Sequence, residues 1–171
     1  MLEVRTPQRV WLAGRDRERL DALCAELADV PCELRPITDE VDVERAVRAS
    51  QVVLCCTSAP TPLFDGDWVG DGACVVAMGS HFPDQRELDG SLVGRSLVVV
   101  EDRATALREA GDVVLGIAEG QLAEDDLRTM AELATGRVPR ATDRPNVFKT
   151  VGMSWQDVVI AEAAAAGAGL D

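Results

Sequence analysis

The amino-acid sequence predicts an α/β fold built on a doubly wound, mostly parallel sheet. Three observations predict it. Short, almost wholly apolar runs recur along the chain, segments of helical period separate them, and glycines and polar residues gather just after the apolar runs. The 171 residues suffice for one domain with a real core, since 47% of them are hydrophobic.

The elements follow in order. Val10 to Ala13 is a short apolar strand that ends at Gly14-Arg15-Asp16. Leu20, Leu23, Cys24 and Leu27 then fall at i, i+3, i+4 and i+7, the stripe of an amphipathic helix opened by Asp16. Cys32 to Ile37 reads as a strand, and Asp39 to Ser50 as a helix with Val43, Ala46 and Val47 inward. Gln51 to Cys56 has the composition of a strand buried on both faces. A loop rich in proline and glycine fills Thr57 to Gly72, followed by apolar strands at Ala73 to Met78 and Leu97 to Val100. Helices are expected over Arg103 to Ala110 and Glu124 to Ala134, and a last strand over Asn146 to Val151. Ser154 caps a closing alanine-rich helix that runs to about Ala166. Trp11, Trp68 and Trp155 are scattered and read as packing.

Charge and cysteine usage exclude several classes. A formal charge of -13 argues against nucleic acid and against an acidic membrane surface, both of which need clustered basic groups. No apolar run approaches the roughly 20 residues of a membrane span, and no signal region opens the chain, so a cytoplasmic location is expected. The five cysteines, Cys24, Cys32, Cys55, Cys56 and Cys74, form no CxxC pair, and with one histidine they predict no metal site. Cys55 and Cys56 are adjacent in a strand, so their side chains point to opposite faces and both read as packing.

In a doubly wound sheet, ligands bind beyond the carboxyl ends of the strands. Three loops occupy such places: Gly14 to Asp16, Thr57 to Pro60, and Gly79 to Asp84. Their glycines and polar groups stand where a dinucleotide would need them.

Three ordered motifs carry a resemblance. Met78-Gly79-Ser80-His81-Phe82-Pro83 followed by Arg86-Glu87-Leu88-Asp89 is the first, and Glu101-Asp102 with Glu109-Ala110-Gly111-Asp112 the second. Val147-Phe148-Lys149-Thr150-Val151-Gly152, followed by Gln156-Asp157, is the third. In this order and spacing they resemble the ornithine cyclodeaminase/mu-crystallin family, over the carboxy-terminal, Rossmann-like part of its members. The resemblance implies NAD or NADP as cofactor and a small amino acid or cyclic imine as substrate. It also implies that a substrate domain, the first strand and the glycine-rich phosphate turn would lie upstream of this chain. Met1-Leu2-Glu3-Val4 then reads as the tail of the helix after that turn, and Arg5 to Gln8 as the lead into the family's second strand.

The resemblance assigns site residues. Gly14 stands where NAD-selective members carry an acidic residue, and Arg15 follows, which leans towards NADP because a guanidinium pairs with a 2′-phosphate. A turn glycine and a surface arginine explain the pair equally well, with Asp16 as helix cap. Thr57 and Ser58 fit contacts to the phosphates or the nicotinamide ribose. Met78, Gly79 and Ser80 belong to the same cofactor edge, and Thr150 and Val151 to the place that meets the nicotinamide. His81 falls where cyclodeaminases carry a catalytic aspartate, and an imidazole transfers protons near neutral pH. The departure from aspartate disfavours ornithine cyclisation. Lys149 fits a surface cation as well as a site residue, and Glu109 and Asp112 read as turn and capping residues.

Two functions of different class follow. One is the NAD(P)-binding part of a hydride-transferring enzyme, which as this isolated chain is expected to bind cofactor poorly and to be inactive, because pyrophosphate is held by the glycine-turn amides. The other is a non-catalytic remnant or interaction subunit, in which an exposed sheet edge favours self-association.

Overall fold

The computed structural model describes residues 6–167 as two compact units, one ending at Ser50 and the other beginning at Gln51. The readings of Met1 to Val4 and of Arg5 lie outside the described residues. The first unit holds β1 (Arg9–Ala13), α1 (Arg17–Glu26), β2 (Glu33–Ile37) and α2 (Glu40–Ala49). Its two strands pair in parallel, Arg9 opposite Glu33 and Ala13 opposite Ile37. Asp16 caps α1 by accepting the amide of Arg19 at 3.1 Å, and Asp39 caps α2 by accepting that of Asp42 at 2.8 Å.

The expected inward stripe of α1 narrows to Leu20; Leu23 is 39% exposed. In α2, Ala46 and Val47 are buried as expected. Trp11 is packed by charge rather than by core. The guanidinium groups of Arg9, Arg35 and Arg45 lie 5.5, 5.4 and 5.7 Å from its ring, each within cation–π range.

The second unit is a five-stranded sheet in the order β3-β4-β7-β5-β6, every neighbouring pair parallel. Its strands are β3 (Val52–Cys55), β4 (Cys74–Ala77), β5 (Leu97–Val100), β6 (Arg128–Thr129) and β7 (Asn146–Lys149). The last strand in the chain is therefore inserted at the centre, between β4 and β5. Helices α3 (Gly90–Arg95), α4 (Arg103–Glu109), α5 (Gly111–Ala118), α6 (Met130–Ala134) and α7 (Ser154–Gly167) complete the unit.

The core sits on the middle strands: all four residues of β5 are buried, and Val75 and Ala77 of β4 are fully so. The expectation that the Gln51 to Cys56 run is covered on both faces fails. β3 closes one side of this sheet, and only Cys55 is buried while Leu54 is 50% exposed. The expected helix over Glu124 to Ala134 is instead a 3₁₀ turn, the short strand β6, and α6. Thr129 and Glu132 form a reciprocal capping box that starts α6 there. Nor does Trp155 pack; it is half exposed on α7, whose residues are nowhere buried.

Gly111 opens α5 where no side chain fits, since a Cβ would stand 1.8 Å from the Gln85 carbonyl oxygen and 2.4 Å from that of Phe82. Gly111→Ala is therefore expected to cost about 2–3 kcal/mol, as overpacking against backbone does. Gly70→Ala, with nothing within 4 Å of the added carbon, should be close to neutral. Urea unfolding of both variants measures the difference.

Candidate functional site

Parallel pairing aims every strand of the second unit the same way, so the residues after β3, β4 and β7 share one edge. That edge carries Thr57 and Ser58 after β3, Met78, Gly79, Ser80 and His81 after β4, and Thr150 and Val151 after β7. The backbone closes it: Met78 donates to the Cys55 carbonyl at 3.0 Å and Thr150 to the Ala77 carbonyl at 3.1 Å. Gly14 and Arg15 stand in the first unit, after β1, with Arg15 exposed and the Gly14 amide donating to the Ile37 carbonyl at 3.2 Å.

Individual groups at the edge differ in what they leave free. Thr57 Oγ1 donates to Glu87 and accepts from the Ala59 amide. Ser80 is buried, and its hydroxyl donates to the Gln85 carbonyl at 2.7 Å, so its side chain is committed inward. Ser58 is exposed, Met78 is 45% exposed, and Thr150 Oγ1 accepts the Gly152 amide at 3.3 Å. His81 is exposed, with Nδ1 3.4 Å from the Gly79 carbonyl and its ring 4.4 Å from that of Phe82. Cys55 is buried and Cys56 exposed, the opposite-facing arrangement that an extended backbone demands.

Beneath this edge lies a charge cluster that the residue-by-residue reading missed. Glu87 is fully buried and accepts the Thr57 amide at 2.7 Å, the Thr57 hydroxyl at 2.8 Å and the Gly79 amide at 2.7 Å. Both carboxylate oxygens only accept, the pattern of the ionised group. Asp112, at the start of α5, accepts the backbone amides of Glu87 and Leu88 through Oδ1 at 2.9 and 2.8 Å. Its other oxygen meets Lys149 Nζ at 3.0 Å in an ion pair whose side chains are 0% and 1% exposed. Lys149 also donates to the Ser80 carbonyl.

Thus Lys149 is not a surface cation, and Asp112 does not cap its own helix; it holds the neighbouring loop. Gly79 admits that loop so closely that a Cβ would lie 2.0 Å from the Thr57 carbonyl oxygen. The field of the cluster is felt nearby: burial, reinforced by the Glu87 and Asp112 carboxylates, pushes the Cys55 thiol up, so it stays a protonated packing group.

A second carboxylate fixes the β7 exit. Glu101 accepts the Val151 and Gly152 amides, each at 3.1 Å, and Gln156 Nε2 at 2.7 Å. Gly152 turns there with φ of +83°, a conformation that favours glycine. The signal for these groups was in the sequence. Glu87, Asp112 and Lys149 come one from each of the three ordered motifs, and Lys149 is the chain's only lysine. Among the described residues no three His, Cys, Asp or Glu side chains are placed to hold a metal ion. Nor is any described helix long and apolar enough to cross a membrane.

A parallel sheet with its strand-end loops drawn together over buried carboxylates places the protein in the Rossmann-like α/β class. The chain belongs to the ornithine cyclodeaminase/mu-crystallin family, whose sequence model matches residues 3–165. It is 31% identical over 165 residues to the Δ1-pyrroline-2-carboxylate reductase of Colwellia psychrerythraea, covering 94% of this chain and 51% of that one. Ketimine reductase mu-crystallin of Rattus norvegicus is 36% identical over 120 residues, 70% of this chain and 36% of its own. The chain thus spans about half the length, or less, of the curated relatives it matches. Among solved structures, the Δ1-pyrroline-2-carboxylate reductase of Thermococcus litoralis, in complex with NADH and L-proline, superposes with a TM-score of 0.88. That match covers 98% of this chain and 53% of that one at 24% identity, and it shows the fold.

Removing one partner of the buried pair strands the other. Lys149→Met is expected to lower stability by about 3–5 kcal/mol by leaving Asp112 uncompensated. The double variant Lys149→Met/Asp112→Asn should recover part of that loss. Denaturant unfolding of the two variants measures both.

Proposed function

We propose that this chain is the nicotinamide-dinucleotide-binding part of an enzyme that moves hydride between its cofactor and a small amino acid or cyclic imine. The convergence of the β3, β4 and β7 exits on one edge supports it, because a parallel sheet presents its ligand there. In this reading Thr57 and Ser58 meet the phosphates or nicotinamide ribose, Met78 to Ser80 form the floor, and Thr150 and Val151 meet the nicotinamide. The edge fits such a group: Ser58, Met78 and His81 are exposed, and the carboxylates of Glu87 and Glu101 are occupied by internal donors. A bound nicotinamide would supply or take up the hydride.

His81 is the proposed proton carrier. Its imidazole is exposed and rests on Phe82, free to hold a proton beside the reacting carbon or nitrogen of a substrate. A histidine at this place favours reduction or dehydrogenation over ornithine cyclisation. That agrees with the pyrroline-2-carboxylate and ketimine reductases among the relatives. In the first unit, exposed Arg15 after β1 is proposed to take a 2′-phosphate, so NADPH is preferred to NADH.

Titration of the 171-residue chain with NADH and NADPH, followed by nicotinamide fluorescence, tests the reading. NADPH is expected to bind more tightly, and Arg15→Ala to narrow the gap by about fivefold or more, the size of a charge-assisted contact. Absence of binding by either dinucleotide at millimolar concentration, both by this chain and by a longer, upstream-extended one, would sink it. In an active holoenzyme, His81→Ala should lower kcat by about a hundredfold, in the range of general acid–base catalysis, with cofactor affinity nearly unchanged.

A further inference from the structure

Glu87, Asp112 and Lys149 are three buried ionised groups of which only two cancel. Asp112 and Lys149 are paired at 3.0 Å, and Glu87 is surrounded by neutral donors: the Thr57 and Gly79 amides and the Thr57 hydroxyl. The trio therefore carries one net negative charge, on a side chain with no solvent exposure. The groups that Glu87 grips belong to the two strand exits the proposed function assigns to the dinucleotide, and Lys149 steadies a third contact at the Ser80 carbonyl. The three are held rigidly, since the Glu87 backbone is itself fixed by Asp112.

A nicotinamide ring is positively charged when oxidised and neutral when reduced, so an uncancelled anion near it treats the two forms differently. In a buried setting such a charge is weakly screened. We propose that Glu87 is a positioning residue of the dinucleotide site, acting through Thr57 and Gly79, and that its uncompensated charge favours the oxidised cofactor over the reduced one. This rests on the reading of the β3, β4 and β7 exits as the dinucleotide edge.

Glu87→Gln and Glu87→Asp of the whole chain separate geometry from charge. Glutamine keeps the shape but turns one acceptor into a donor facing an amide. Aspartate keeps the charge but falls one methylene short. With circular dichroism unchanged, hydrogen exchange is expected to quicken about tenfold or more at both the Thr57 and Gly79 amides in Glu87→Asp and at the one of them that faces the new NH₂ group in Glu87→Gln, since each such amide loses its buried acceptor.

The ratio of NAD(P)⁺ to NAD(P)H affinity should fall at least about threefold in Glu87→Gln, the effect of one charge at short range in a protein dielectric. In Glu87→Asp that ratio should hold within about twofold. Unchanged amide exchange overturns the positioning role, and if Glu87→Gln does not fold, unchanged exchange in Glu87→Asp does so. Equal weakening of both cofactor forms in Glu87→Gln overturns the charge preference. An unmodified chain that protects both amides yet binds neither form, even when extended upstream, rejects the dinucleotide reading and with it the charge preference, while Glu87's hold on the loops stands.

Discussion

Everything at the candidate edge depends on how three charges are kept in the interior. An isolated buried ion is strongly disfavoured, so each must be matched. Lys149 is matched by Asp112 and by the Ser80 carbonyl, Asp112 by Lys149 and two backbone amides, and Glu87 by three donors from the β3 and β4 exits. Because the partners come from β7, α5 and the loops that follow β3 and β4, satisfying the charges also fixes how those segments meet. The loops proposed to face a dinucleotide are anchored from below.

This shows what three motifs far apart in the chain build together. Read singly, Arg-Glu-Leu-Asp, Glu-Ala-Gly-Asp and Phe-Lys-Thr-Val-Gly are a turn, a cap and a strand end. In three dimensions Glu87, Asp112 and Lys149 are their meeting point. Gly79 and Gly111 belong to the same construction, for each lets a neighbouring backbone approach more closely than any Cβ would allow. The motifs that carry the family resemblance thus meet, in this chain, at one buried polar cluster and the glycines that admit it.

Much of the fold was legible. The runs around Val75, Val98 and Val147 are strands because apolar, β-branched segments suit a sheet covered on both faces. The aspartates at 16 and 39 cap helices as short acceptors do. Three things were not legible, for identifiable reasons. α5 is apolar nearly throughout, so no helical period shows. α3 spans only six residues and contains Gly90 and Gly94. The place of β7 between β4 and β5 is a long-range pairing with no local trace. At the site, the places of Thr57 and Gly79 just past strand ends followed from the rule that parallel strands present ligands at their carboxyl ends, and that of Thr150 from the family resemblance. The burial of Lys149 did not, because a basic residue next to a strand end reads the same whether its amine points to water or to a carboxylate.

The chain's positive charge is almost entirely arginine, and its single lysine side chain is wholly enclosed. Reagents and enzymes that acylate lysine ε-amines, or join another protein to them, therefore meet no lysine side chain on the folded surface. Lys149 becomes available only when the ion pair with Asp112 opens and the strand exits separate. Its acylation would then be a chemical record of that opening, written at the one position where the integrity of the site is decided.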